Sequence, residues 1–258
     1  MYFSQRLFIV FFILLIIDTT VSANAMGDTV ALPLSDRVMQ VFAQIGPDVD
    51  KDLRRRGFEP GSKIFIRIFK LEKNLQLWIE KNGRFALYKN YPICQYSGRI
   101  GPKLREGDRQ SPEGFYSVTA ADLNPWSENH LSFNIGYPNE YDRLLKRTGS
   151  AIMVHGGCTS VGCFAMGDYR IEEIYYLAHL ALENGQESFD VHIFPFVMLQ
   201  RNFKCFANSP WIPFWRNLKI GYDHFERYNQ LPFITATEGK YIITGGVRVA
   251  MNSNSSTH

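Results

Sequence analysis

The stretch Met153-Val154-His155-Gly156-Gly157-Cys158-Thr159-Ser160-Val161-Gly162-Cys163-Phe164-Ala165-Met166-Gly167-Asp168 places one His, two Cys and four Gly between a strand-like run and a helix pattern. A thiol reacts as its thiolate, so a catalytic Cys needs a base or a positive electrostatic environment nearby. Cys163 has both in prospect. It lies just before the Asp168 helix pattern, whose N–H groups and dipole favour an anion. His155 ends a predicted strand eight residues upstream, a spacing that a Gly-rich loop can fold back. Gly156, Gly157 and Gly162 let the backbone approach closely, and N–H groups near Cys163 can form an oxyanion hole. Residue types alone leave Cys–His catalysis and structural packing both open. Three other readings compete. His155, Cys158 and Cys163 could bind zinc, but the spacing is loose and no obvious fourth ligand stands nearby. His155-Gly156-Gly157 is also a feature of esterase oxyanion loops, yet the chain has no Gly-x-Ser-x-Gly elbow. Finally, a Cys158–Cys163 disulfide would silence a Cys163 nucleophile until reduced.

Outward from this stretch the pattern is β-rich. Ile64, Ile66 and Ile68 alternate with Phe65, Arg67 and Phe69, and Leu75 to Glu80 alternates again before an Asn82-Gly83 hairpin turn and Phe85 to Tyr88. Further strand-like runs are Gly114 to Thr119, Leu131 to Ile135, Ala151 to Val154 and Phe189 to Phe194. Asp168 is the expected N-cap of a helix through Asn184, with Ile171, Ile174, Tyr175, Ala178, Ala181 and Leu182 on one face. Near the N-terminus, Ser35-Asp36 caps a helix carrying Val38, Val41, Phe42 and Ile45 that Gly46-Pro47 is expected to end, followed by a charged turn stopping at Gly57. Arg54-Arg55-Arg56 reads as a solvated face rather than an anionic-surface contact. Residues 201–249 predict a helical segment and a hairpin, Phe233 to Thr235 with Tyr241 to Thr244, and the tail 250–258 predicts disorder.

Residues 1–25 have the three parts of a secretory signal: Arg6, the eleven-residue apolar run Leu7 to Ile17, and a polar segment ending Ala23-Asn24-Ala25. The run is short for a membrane span, so a cleaved leader and a periplasmic location are expected; the membrane enters only through an uncleaved signal. A net charge of +3 with both signs dispersed gives no nucleic-acid footprint. The four cysteines, Cys94, Cys158, Cys163 and Cys205, are too few for a disulfide framework in a chain this long. One bridge, for example Cys94 to Cys205, is compatible with an oxidising compartment.

Ser160-Val161-Gly162-Cys163, behind a strand-end His155-Gly156, resembles the active-site signature of L,D-transpeptidase catalytic domains, the YkuD fold. The longer run His155 to Met166 is similar to the YafK branch of that family. So are the blocks Gly101-Pro102-Lys103-Leu104-Arg105-Glu106-Gly107-Asp108-Arg109-Gln110-Ser111-Pro112-Glu113-Gly114-Phe115-Tyr116 and Leu131-Ser132-Phe133-Asn134-Ile135-Gly136-Tyr137-Pro138-Asn139-Glu140-Tyr141-Asp142. The resemblance covers roughly residues 60–200. Two departures from the wider family, the short His155–Cys163 spacing and Val161 where many members carry a second His, fit that branch.

The resemblance implies an α+β, β-rich fold: a mixed β-sandwich or barrel catalytic domain over residues 62–200, with short helical additions at 26–61 and 201–249. It implies that Cys163 attacks a peptide carbonyl of a peptidoglycan stem, forming a thioester after the L-centre of meso-diaminopimelate. His155 would be the acid–base partner, the Gly156 carbonyl would orient its ring, and the Gly162 and Cys163 N–H groups would hold the oxyanion. An amine acceptor gives a cross-link or protein attachment, and water gives hydrolysis, including release of a peptidoglycan-linked lipoprotein. A catalytically silent peptidoglycan-binding protein is the alternative outside the enzyme class. No cofactor and no metal are implied. Lys103, Arg109 and Arg143 can neutralise stem carboxylates, and Glu106 or Asp108 can take an ammonium. A Glu106–Arg109 pair within the loop, and a packing role for Trp126, are the competing structural readings.

Overall fold

A run of six residues that are all apolar except Arg67 forms the first strand, and in the computed structural model every one of them is buried. The model describes residues 32–237 and 239–245. The signal-like segment 1–25 and the tail 250–258 lie outside the described residues. In chain order the elements are α1 (Asp36–Arg55), β1 (Ile64–Phe69), β2 (Asn74–Lys81), β3 (Arg84–Pro92), β4 (Gln95–Tyr96), β5 (Gly114–Thr119), β6 (Leu123–Asn124) and β7 (Ser132–Asn134). There follow α2 (Glu140–Leu144), β8 (Met153–His155), β9 (Phe164–Ala165), α3 (Asp168–Glu183), β10 (Ser188–Phe194), α4 (Gln200–Cys205), α5 (Ile212–Tyr228), β11 (Phe233–Thr237) and β12 (Lys240–Thr244).

The strands form two mixed sheets among the described residues, ordered β3-β2-β1-β10-β5 and β4-β9-β8-β7-β6, with the hairpin β11-β12 apart. The chain passes between sheets at both edges: β3 leads directly to β4, and β5 leads through the short turn Ala120–Asp122 to β6. The expected α+β, strand-rich class holds in its sandwich form; neither sheet closes into a barrel. β1 is buried throughout because both faces of its sheet are covered. Ile64, Ile66 and Ile68 join Val154, Phe164, Ile171 and Ile174 in the core shared by both sheets, α1 and α3. Phe69 faces the other way, into a second core with Phe115, Phe194, Trp215, Leu218 and Tyr222. Alternation along β1 therefore assigns each side chain to one of two cores rather than to core and solvent.

α3 is buried nearly all round because it touches β1 and β10, β7 and β8, and α1. Asp168 is its first residue rather than its N-cap, which is Gly167. The Gly46-Pro47 stop is also not observed: α1 runs unbroken through Pro47. Its buried residues Val38, Val41, Gly46, Val49 and Leu53 make one stripe against α3. A Cβ on Gly46 would lie 3.0 Å from the Tyr176 hydroxyl, and that hydroxyl donates to Asp50 at 3.0 Å. Tertiary contact on both sides of the proline thus overrides its local cost. The side chain of Pro47 is exposed. Pro47→Ala should therefore raise the unfolding free energy, by roughly 1–2 kcal/mol, as a higher urea midpoint with unchanged slope.

Candidate active site

β8 and β9 are parallel neighbours, paired Val154 to Phe164 and His155 to Ala165, yet only residues 156–163 connect them. Parallel strands ordinarily need a crossover of a dozen or more residues. Here the chain leaves the end of β8, doubles back within eight residues, and re-enters beside the start of the same strand. Glycine makes that path possible, since Gly157 and Gly162 have φ of +63° and +113°. Gly156 is required for space: a Cβ there would sit 2.7 Å from the Asn129 carbonyl oxygen and 2.9 Å from the His130 Cβ.

The register sets the site. Val154 and Phe164 point into the shared core, so Met153, His155 and Ala165 share the opposite face with Cys163, one residue before β9. The Met153 N–H donates to Cys163 Sγ at 3.3 Å, and the thiol points toward the Ala151 carbonyl at 3.7 Å. His155 is 3% exposed, and its Nδ1 lies 2.6 Å from the Gly156 carbonyl oxygen. A carbonyl can only accept, so Nδ1 carries the proton and Nε2 is left as the basic nitrogen. Burial holds the His155 pKa below its ordinary 6.5 despite that hydrogen bond. Burial also pushes the Cys163 thiol above 9.0, with the Met153 N–H and the Lys103 charge pulling the other way. Burial thus favours the neutral form of both side chains. The helix-dipole role expected for α3 is not seen, because β9 and Gly167 separate Cys163 from its first turn. That turn is instead occupied by the Asp168 carboxylate, which accepts from the Gly157 N–H at 2.7 Å.

The disulfide that forms is neither Cys94–Cys205 nor Cys158–Cys163. Cys94 is bonded to Cys158 with 5.4 Å between Cα atoms, leaving Cys163 and Cys205 as free thiols. The bridge also removes Cys158 from the zinc reading, since a disulfide sulfur has no thiolate to offer.

Other residues around the thiol are brought together only by folding. The Cys163 carbonyl accepts from Ser160 Oγ at 2.8 Å and Ser111 Oγ at 3.1 Å, and Ser97 Oγ meets Ser160 Oγ at 2.9 Å. Behind Ser111 lies an ion pair, Lys70–Glu113 at 3.0 Å, with both side chains 0% exposed. Lys70 also donates to the Gly101 and Ser111 carbonyls, and Trp215 Nε1 donates to Glu113 at 2.8 Å. Only folding joins these positions; the sole hint is a lysine ending the buried run of β1. Ser132 lies opposite His155 in the β7–β8 register, its buried hydroxyl without a partner among the described residues.

The expected substrate-binding cations are differently placed. Lys103 is 4% exposed and held by Asp108 at 2.6 Å and the Arg105 carbonyl at 3.0 Å. Asp108 also accepts from the Leu104, Arg105 and Gln110 N–H groups, so it closes this loop and is not free for an ammonium. The Glu106–Arg109 pair does not form; Arg109 is exposed with φ of +51°, and the Glu106 N–H donates to Thr148. Arg143 lies on α2 beside a cleft of about 530 Å³ lined by Tyr141, Phe233 and Tyr241, which His155 and Cys163 do not line. A second cleft, about 980 Å³ and lined by Phe85, His224 and Tyr228, also excludes both. Trp126 is 66% exposed, not packed as its aromatic character suggested.

With this geometry in place, comparison with known proteins is decisive. The sequence model of the YkuD family, L,D-transpeptidase catalytic domain, matches residues 64–183. The chain is 43% identical over 184 residues to "Putative L,D-transpeptidase YafK" of Escherichia coli K12, covering 71% of this chain and 75% of that one. The chain belongs to the L,D-transpeptidase catalytic-domain family. Solved structures similar to it include the helical cell shape determining protein Pgp2 of Campylobacter jejuni in its K307A form, with TM-score 0.43 and 21% identity over 57% of this chain. The chain spans 55% of that protein's length. Another is Bd1075 of Bdellovibrio bacteriovorus, with TM-score 0.39 and 18% identity over 68% of this chain and 77% of that one.

Within this L,D-transpeptidase-family site, Glu113→Gln leaves the Lys70 ammonium buried without its counter-charge. The expected cost is about 3–5 kcal/mol, measured as loss of unfolding free energy at neutral pH.

Proposed function

We propose that the protein is an exported L,D-transpeptidase that uses Cys163 to form a thioester with the stem peptides of peptidoglycan. The observation carrying this reading is the register that sets a free thiol and a neutral, Nδ1-protonated imidazole on one sheet face at the two ends of a glycine crossover. The 43% identity to a protein named as an L,D-transpeptidase supports the substrate class. The Cys94–Cys158 bridge supports an oxidising compartment.

In this mechanism Cys163 Sγ attacks the carbonyl after the L-centre of meso-diaminopimelate while His155 Nε2 takes the thiol proton. The Gly162 and Cys163 N–H groups hold the oxyanion. The C–N bond then breaks, and the leaving amine takes the proton back from His155. An amine acceptor or water resolves the thioester, with His155 again acting as base. Lys103 supplies a fixed positive charge near the thiol, and Arg109 is exposed enough to meet a stem carboxylate.

Intact-mass analysis after incubation with a disaccharide-tetrapeptide tests this directly. The expected result is a tripeptide-stem adduct mapping to Cys163 and absent in Cys163→Ala. His155→Ala should slow its formation by about 10²-fold or more. New cross-links among the released products indicate transfer, and free tripeptide stems indicate hydrolysis. A folded protein that binds sacculi with no adduct would overturn the enzyme reading.

The pH profile follows from the neutral resting pair. Protonating His155 removes the base, so kcat/KM rises with pH through the His155 pKa, with a midpoint below 6.5 because burial holds it there. The thiol stays protonated past 9.0, so the rate should hold level up to that region. A single ascending limb above pH 8 would instead mean that a preformed thiolate is the reactant.

A further inference from the structure

The second half of the crossover, which carries the proposed oxyanion donors, is fastened to the two residues that flank one short strand. Cys158, in the middle of the loop, is covalently joined to Cys94, the residue preceding β4. Ser160, two residues further along, is hydrogen-bonded to Ser97, the residue following β4. β4 is an edge strand of two residues, paired only with β9, and the Cys94 N–H donates to the Ala165 carbonyl at 2.9 Å. On the entry side the loop is held by backbone: Gly157 accepts from the Gly167 N–H at 2.8 Å and donates to Asp168. Thr159 and Val161 are exposed, so between Gly157 and Gly162 the bridge and the Ser160 hydroxyl are the anchors. The thiol is held differently, by the Met153 N–H and the Ala151 carbonyl on the β8 side.

We propose that Cys94 and Cys158 are positioning residues for acyl transfer: their disulfide holds Gly162 and Cys163 where their backbone N–H groups meet the oxyanion, while the thiol's own reactivity is set elsewhere. The inference rests on Cys163 acting as the nucleophile of the proposed function. It makes acyl transfer depend on the thiol–disulfide state of a pair that takes no part in the chemistry. A small dithiol reduces the bridge by attacking one sulfur to form a mixed disulfide. Its second thiol then resolves that intermediate, so that two electrons and two protons pass to Cys94 and Cys158 and the reductant leaves as a cyclic disulfide.

Two reagents separate the two roles. Iodoacetamide alkylates a thiol by displacement of iodide and forms no oxyanion. p-Nitrophenyl acetate acylates it through a tetrahedral oxyanion, forming a thioester at Cys163 and releasing p-nitrophenol. In a Cys205→Ser background Cys163 is the one reactive thiol of the oxidised protein. The comparison is between that protein, the further Cys94→Ser/Cys158→Ser variant, and the dithiol-reduced parent after removal of reductant. Alkylation of the reduced parent is read at the Cys163 peptide. Opening the bridge should slow Cys163 acylation by about tenfold or more, the scale of a displaced oxyanion donor. Alkylation at the same pH should stay within about twofold. Reoxidation should restore the parent, and the serine variant should not respond to reductant.

Equal acylation rates in the open and closed forms would overturn the proposal, as would parallel loss of both reactions. If the serine variant does not fold, the reduced parent is read alone, and loss of its far-ultraviolet dichroism too would overturn the proposal by making the bridge a stability element. Because neither reagent is a muropeptide, failure of the peptidoglycan reading leaves this test intact. A reversed dependence, faster acylation with the bridge open, would also count against it.

Discussion

Two parallel neighbouring strands joined by residues 156–163 impose a severe constraint on the backbone, and the rest of the site follows from it. The return path brings Cys163 beside Met153 at the start of β8 while His155 stands at its end. Period-two alternation then settles orientation. Val154 and Phe164 anchor the pair in the core, and His155 and Cys163 share the other face. A one-residue slip in this register would bury the thiol and expose the core residues. The placement of His155 and Cys163 and the packing of the core are therefore specified by the same pairing.

Such a crossover does not hold its shape by strand pairing alone, since β8 and β9 together offer few ladder bonds. Polar groups with long sequence separation supply the remaining support. Two serine hydroxyls grip the Cys163 carbonyl, and the buried Lys70–Glu113 pair fixes the loop from which one of them projects. Trp215 completes the coordination of Glu113 from α5, which belongs to the second core. α5, outside the region matched by the family model, thus reaches the Cys163 carbonyl through a chain of hydrogen bonds and one ion pair. A fully buried ion pair stabilises little in itself, but removing one member is costly, which fits a role in fixing one loop conformation.

What the sequence made legible divides along the same physical line. Short-range signals were readable: Asn82-Gly83 between alternating runs, the apolar face of α3, and His155 and Cys163 in a glycine-rich loop. The family followed from three ordered blocks. Features set by distant contacts were not readable. Pro47 looks like a helix stop until α3 is seen holding α1 on both sides of it. Cys158 has no partner that the sequence singles out until β4 brings Cys94 alongside, 64 residues away in sequence. Lys103 and Asp108 look like substrate groups, but they meet each other inside their own loop. Strands of two residues such as β4 and β9 have too few positions for an alternation to show.

The proposed mechanism requires His155 to be a neutral imidazole with its proton on Nδ1. Long-range nitrogen–proton NMR of the ¹⁵N-His-labelled protein at neutral pH, assigned with His155→Ala, reads the tautomer directly. The account predicts the Nδ1–H form for His155, with protonation only below pH 6.5. An Nε2–H tautomer, or an imidazolium at neutral pH, would contradict it.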